Sequence, residues 1–135
     1  MCSEKVLAFL SFILVSVFLV ESSACKCPRM SPLEKAEEAE VILVGRPLKI
    51  SGAHSMLFGS FKVEKTWKGE VSANDLFSQP MSSECGIRII ENGPKYLIYA
   101  RTGGAGWRIN TCTSLPIDKA QRELSFLSSR YEKRK

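Results

Sequence analysis

The sequence predicts a mainly β domain: a small barrel of short strands, with a short helix before it and a helix after it. Three observations carry that expectation. Short apolar runs recur between residues 41 and 110, separated by glycine, proline and asparagine. After Pro116 the apolar spacing lengthens to three and four, the period of a helix. Four cysteines remain to staple the domain once an apolar leader is set aside.

The leader fixes the cysteine count. Met1 to Lys5 is a polar start with one basic residue, and Val6 to Val20 is apolar apart from Ser11 and Ser16. A membrane span needs ~20 apolar residues, whereas the core of a secretory signal peptide is shorter. Ser22-Ser23-Ala24 supplies small residues where a signal peptidase reads them. The expected organisation is therefore a signal peptide over 1–24 and one domain over 25–135, secreted to the extracellular space. With 24 of the 135 residues removed, 111 remain, enough for one modest core. They carry 18 basic and 12 acidic side chains, a net charge of +6. Such a balance suits solubility and, as a further class of partner, acidic glycosaminoglycans or host proteins.

Ser31-Pro32-Leu33-Glu34 has the pattern of a capping box with proline at the first helical position, so a short helix is expected through Glu38. Val41 to Val44 reads as a buried strand, interrupted by Gly45 and Pro47. Between Leu57 and Trp67, Phe61, Val63 and Trp67 are expected on one face and Lys62, Glu64 and Thr66 on the other, with Lys65 intruding. Leu76-Phe77 is a brief strand, and Ile87 to Ile90 another, closed by Asn92-Gly93-Pro94. Tyr96 to Ala100 and Trp107 to Asn110 form a hairpin around Gly103 to Gly106. Ile117, Ala120, Leu124, Leu127 and Tyr131 make one helical stripe, with Asp118 and Gln121 as its cap. So many short strands in so small a domain suggest a barrel that closes its own edges.

Cysteine arithmetic constrains the N-terminus. Cys2 leaves with the leader, so Cys25, Cys27, Cys85 and Cys112 form two disulfides. Joining Cys25 to Cys27 would close a strained, tiny ring. Either remaining pairing fastens Cys25-Lys26-Cys27 to two distant parts of the chain, each long loop contributing roughly 3–5 kcal/mol in the chain-entropy model. A mature chain starting at Cys25 would thus present a rigid terminus where most termini fray. Its free α-amine and carbonyl oxygen would form a five-membered chelate on a metal, a plug for an open catalytic zinc in another protein.

Enzyme chemistry of the chain's own is not expected. His54 is the lone histidine, set in a Ser/Gly-rich stretch, and Cys85 is committed to a disulfide, so a Cys–His pair has no thiol to offer. Neither a side-chain metal centre nor any cofactor is expected, since one histidine cannot complete a ligand set. Gly103 to Gly106 lacks the strand-then-helix setting of a phosphate loop. The basic residues are not interleaved with aromatic platforms, so nucleic acid is not an expected partner. No membrane is expected after leader removal, and the protein is expected to be a monomer.

Three stretches together resemble the inhibitory domain of the tissue inhibitors of metalloproteinases. They are Cys25-Lys26-Cys27 with Pro32 following; Phe61 to Gly69 ending in Trp-Lys-Gly, then Pro80-Met81-Ser82-Ser83-Glu84-Cys85-Gly86; and Lys95 to Ile98, Ile109-Asn110-Thr111-Cys112, Pro116 and the Asp118 to Leu127 helix. The resemblance implies a five-stranded OB-fold (netrin-like) barrel with disulfides Cys25–Cys85 and Cys27–Cys112. It implies an inhibitory ridge of Cys25, Lys26, Cys27 and Pro28 beside the loop Met81, Ser82, Ser83, Glu84 and Cys85. In that family the amine and carbonyl corresponding to Cys25 bind the catalytic zinc of a metalloendopeptidase of the matrix metalloproteinase type, and the next side chain, here Lys26, enters the specificity pocket. This chain departs from the family pattern at Lys26, usually a small or hydroxyl residue, at Glu84, usually apolar, and in having no counterpart of a third disulfide. An unpaired ammonium in an apolar pocket would cost roughly several kcal/mol, or about two or more decades of affinity. Two functions are therefore expected: zinc metalloendopeptidase inhibition through Cys25, or a non-inhibitory secreted netrin-like module that modulates immunity or binds matrix.

Overall fold

The computed structural model describes residues 26–81, 85–104 and 106–132. The expected signal peptide, Cys25, Ser82, Ser83, Glu84 and the basic tail lie outside these residues.

Helix α1 (Pro32–Glu38) forms as its sequence dictates: the Ser31 hydroxyl accepts from the Glu34 N–H at 3.2 Å, and the Glu34 carboxylate accepts from the Ser31 N–H at 2.7 Å. Strand β1 (Val41–Ala53) and strand β2 (Met56–Lys68) form one long antiparallel hairpin. Next come strand β3 (Phe77–Pro80), strand β4 (Tyr96–Gly103), strand β5 (Gly106–Ile109) and a two-residue strand β6 (Leu115–Pro116). The strand order is β1-β2-β3-β5-β4-β6, and β1 also pairs with β4. That last pairing closes β1-β2-β3-β5-β4 into a mixed five-stranded barrel, in which only β3 and β5 run parallel. The result is an OB-like barrel that leaves its five strands no free edge.

The chain ends in a 3₁₀ turn (Ile117–Lys119), helix α2 (Gln121–Leu127) and a π-helical turn (Ser128–Glu132). The expected Asp118 cap does not form. Ala120 occupies the cap position without a side-chain hydrogen bond, because the preceding 3₁₀ turn already feeds the helix: the Ala120 N–H donates to the Ile117 carbonyl at 3.2 Å.

Two apolar clusters explain why β1 and β4 do not alternate in sequence. Val41, Leu43, Tyr96, Ile98 and Ala100 point into the barrel with Phe61, Phe77, Ile89 and Ile109. Ile42, Val44, Leu97 and Tyr99 point outward, under Ala36 and Ala39 of α1 and Ala120 and Leu127 at the C-terminal helix. Strands covered on both faces read as continuous apolar runs. The helices are also tied to each other. The Lys35 ammonium donates to the largely buried Glu123 carboxylate at 2.9 Å, and the Lys68 ammonium donates to the Ala36 carbonyl at 2.9 Å.

Three further expectations are corrected. The first strand does not stop at Gly45 and Pro47 but continues to Ala53, because register shifts at Val44/Gly45 and Pro47/Ile50 absorb both residues. Gly45 suits the close approach there, since a Cβ would crowd the Lys62 carbonyl oxygen at 3.0 Å. Second, Trp67 leaves the face shared by Phe61 and Val63 and packs against the helix-side cluster. The register shift at Val44/Gly45 falls between Val63 and Lys65, and this single-residue slip reverses the facing of the residues that follow it, Trp67 included. The Lys65 ammonium lies 5.0 Å from the Trp67 ring centre.

Third, Ile87 to Ile90 is not a strand. Ile89 is nonetheless buried at 1% exposure. The buried amide of Gln79 takes the place of a neighbouring strand: its Nε2 donates to the Ile89 carbonyl at 2.8 Å and its Oε1 accepts from the Ile89 N–H at 3.0 Å. Replacing Gln79 with alanine strands two buried backbone groups. At ~1–3 kcal/mol for each unsatisfied group, Gln79→Ala is expected to lower unfolding stability by about 2–6 kcal/mol, measured by urea denaturation.

Candidate functional site

Two of the residues expected to form a ridge, Cys27 and Cys85, come together beside Cys112. Cys27 is bonded to Cys112, with the Cα atoms 5.2 Å apart and 85 residues between them in sequence. Cys85 is also disulfide-bonded, and its expected partner Cys25 lies outside the described residues. The sulphurs of Cys27, Cys85 and Cys112 all lie within 4.8 Å of one another. Three sulphurs that close resemble a metal set, but each belongs to a disulfide and none is the thiolate that a metal requires. The grouping is a double staple.

The sequence around the staple holds it in place. Asn110 makes a tight turn ahead of Cys112: its side-chain Oδ1 accepts from the Cys112 N–H at 3.0 Å, and its carbonyl accepts from the Ser114 N–H at 3.0 Å. The Asn110 N–H donates to the Tyr99 carbonyl at 2.8 Å, which fixes the turn to β4. On the other side, the Thr111 hydroxyl donates to the Cys85 carbonyl at 3.1 Å, and the Ile87 N–H donates to the Thr111 carbonyl at 2.9 Å. Gly86, between them, has φ +76°, and a Cβ there would lie 2.0 Å from the Thr111 carbonyl oxygen. Only glycine permits that approach.

Met81, at the other end of the expected ridge loop, is separate from the staple. Its N–H donates to the Ser55 carbonyl at 2.9 Å, and its methyl group lies against Gly52 at the β1–β2 hairpin end. The loop therefore starts at the hairpin tip and ends at the disulfides. His54 and Ser55 form that tip with φ of 50° and 65°, and His54 joins no metal-ligating group among the described residues. Lys26 and Pro28 are exposed and Cys27 is half-buried. Thus Cys27 and Cys85 are brought together, Lys26 and Pro28 flank Cys27 in the chain, Met81 lies at the hairpin tip, and Cys25, Ser82, Ser83 and Glu84 lie outside the described residues.

Sequence reasoning passed over Asn110, Thr111 and Gly86 as supports. An asparagine two residues before a cysteine and a glycine directly after another are the signals that were present. Among known proteins, no family model matches this chain and no curated protein matches it significantly.

Proposed function

We propose that this protein is a secreted inhibitor of zinc metalloendopeptidases, related to the tissue inhibitors of metalloproteinases and acting through the free amine and carbonyl of Cys25. The observation that supports the reading most is the staple: Cys27 is bonded to Cys112 with the Cys85 sulphur within 4.8 Å of both. Catalytic zinc sites keep one position open for water or substrate. A chelating amine and carbonyl that displace that water must be held rigidly, since ordering a floppy terminus on binding would cost affinity. Crosslinks on both flanks of Lys26 would supply the rigidity, and Pro28 would stiffen the exit. Lys26 would enter the specificity pocket, and Met81 to Cys85 would form the second rail of the ridge.

The test is a titration of the protein, with its N-terminus confirmed at Cys25 by mass, against a panel of zinc endopeptidases. Nanomolar inhibition that vanishes when one alanine is added ahead of Cys25 is the expected result, because the extension acylates the amine. Equal inhibition by the extended protein would overturn the chelation mechanism. The exposed ammonium of Lys26 favours a second reading, a non-inhibitory secreted binding module, and that reading takes over if no enzyme in the panel is inhibited at micromolar protein.

A further inference from the structure

We propose that the groove on the outer face of the β4–β5 hairpin binds a sulfate or phosphate ester, with Arg101 and Arg108 as its paired cations. The register places Arg101 directly opposite Arg108. Their neighbours Ala100 and Ile109 face the barrel interior, so both arginines face outward. Like charges directly opposite each other across two strands repel. Neither guanidinium has a carboxylate in salt-bridge range among the described residues, and both are exposed. Ten N–H donors thus lie on one strip of surface with no carboxylate in ion-pair range among the described residues, in the forked geometry that suits oxyanions.

The strip is concave. Arg101, Arg108, Pro80, Asn110 and Thr111 line a groove of about 490 Å³. The Arg108 side chain lies over Gly103, where an added Cβ would come within 3.0 Å of its Cβ. One carboxylate, Glu40, shares the groove but is already engaged, accepting from the Thr102 N–H at 2.6 Å and the Thr102 hydroxyl at 2.5 Å. Those hydrogen bonds, with Arg101 nearby, hold its carboxyl below the usual 4.5. Glu40 therefore stays ionised and weakens the field of the arginines rather than cancelling it. The site stands independently of protease inhibition, although Thr111 joins it physically to the staple.

The experiment titrates the intact protein with inorganic sulfate, inorganic phosphate and a heparin-derived hexasaccharide at low salt, by calorimetry. Arg101→Gln/Arg108→Gln is expected to weaken hexasaccharide binding at least tenfold. Because the two cations repel, this double variant should keep or raise its Tm, so weaker binding reports lost recognition rather than lost fold. Glu40→Gln should tighten binding two- to threefold, and Lys62→Ala, a basic residue on β2 outside the groove, should change it less than twofold. Saturable binding of the free ions, lost in the double variant, identifies a site for a single oxyanion. Binding of the hexasaccharide alone, lost in the same variant, identifies an ester carried on a polysaccharide. Double-variant binding within twofold of the parent, an equal loss in Lys62→Ala, or no binding of any probe would overturn the proposal.

Discussion

Removing the Cys27–Cys112 crosslink, as Cys27→Ser/Cys112→Ser, is expected to destabilise the protein by ~4.5 kcal/mol. The bond closes a loop spanning 85 residues of sequence separation, and the chain-entropy relation gives about that value for such a loop. For a domain of this size the loss corresponds to a fall in Tm of roughly 15–25 °C, measurable by calorimetry or circular dichroism. Function should respond more steeply than the remaining fold. At a temperature where the variant is still folded, the segment around Lys26 loses its tie to the turn at Asn110, and any inhibition that depends on a rigid terminus should weaken. If the variant stays folded and inhibits as well as its parent, the rigidity argument fails even though the stability argument holds.

The second large effect is expected at Gly86. Alanine there meets two separate obstacles. The left-handed backbone, φ +76°, costs a non-glycine residue about 1–2 kcal/mol. The added Cβ, 2.0 Å from the Thr111 carbonyl oxygen, forces the Cys85–Ile87 segment away from Thr111. That movement breaks the Thr111 hydroxyl bond to Cys85 and the Ile87 bond to Thr111, worth ~1 kcal/mol each. Gly86→Ala should therefore lose about 3–4 kcal/mol. Gly104 provides the comparison: its φ is +60°, but no atom lies within 4 Å of the position a Cβ would take. Gly104→Ala should lose only the conformational part, about 1–2 kcal/mol. Equal losses at the two glycines, measured by urea denaturation, would show that packing against Thr111 contributes nothing.

Much of the fold was legible because its signals are local. The capping box at Ser31 and Glu34 involves neighbours three residues apart, and the stripe from Ile117 to Tyr131 packs as one apolar face across three consecutive helical segments. The features that escaped the sequence depend on partners far along the chain. Whether Trp67 faces inward or outward is decided by register shifts against β1, which no period within β2 reveals. Ile87 to Ile90 has the composition of a strand, yet its central residue is satisfied by a single side chain, Gln79, so no ladder forms. The site was legible to the same degree. From the residues alone, two disulfide pairings stayed open, and the bond of Cys27 to Cys112 matches the one that the family resemblance implied. The facing arginines were hidden for a different reason. Their opposition emerges from the hairpin around Gly103 to Gly106 only once Ala100 is known to pair with Ile109.

The seam that closes the barrel also sets a schedule for biosynthesis. Val41 to Gly45 pairs with Tyr96 to Ala100, partners roughly 50–60 residues apart in the chain. At about 5–20 residues per second, the first of these strands waits on the order of 3–10 s for its partner to be made. During that interval Val41-Ile42-Leu43-Val44, destined for burial on both faces, has a single strand beside it. Chaperone occupancy on the nascent chain should therefore peak while residues 45 to 96 are being added, and fall once β4 has emerged.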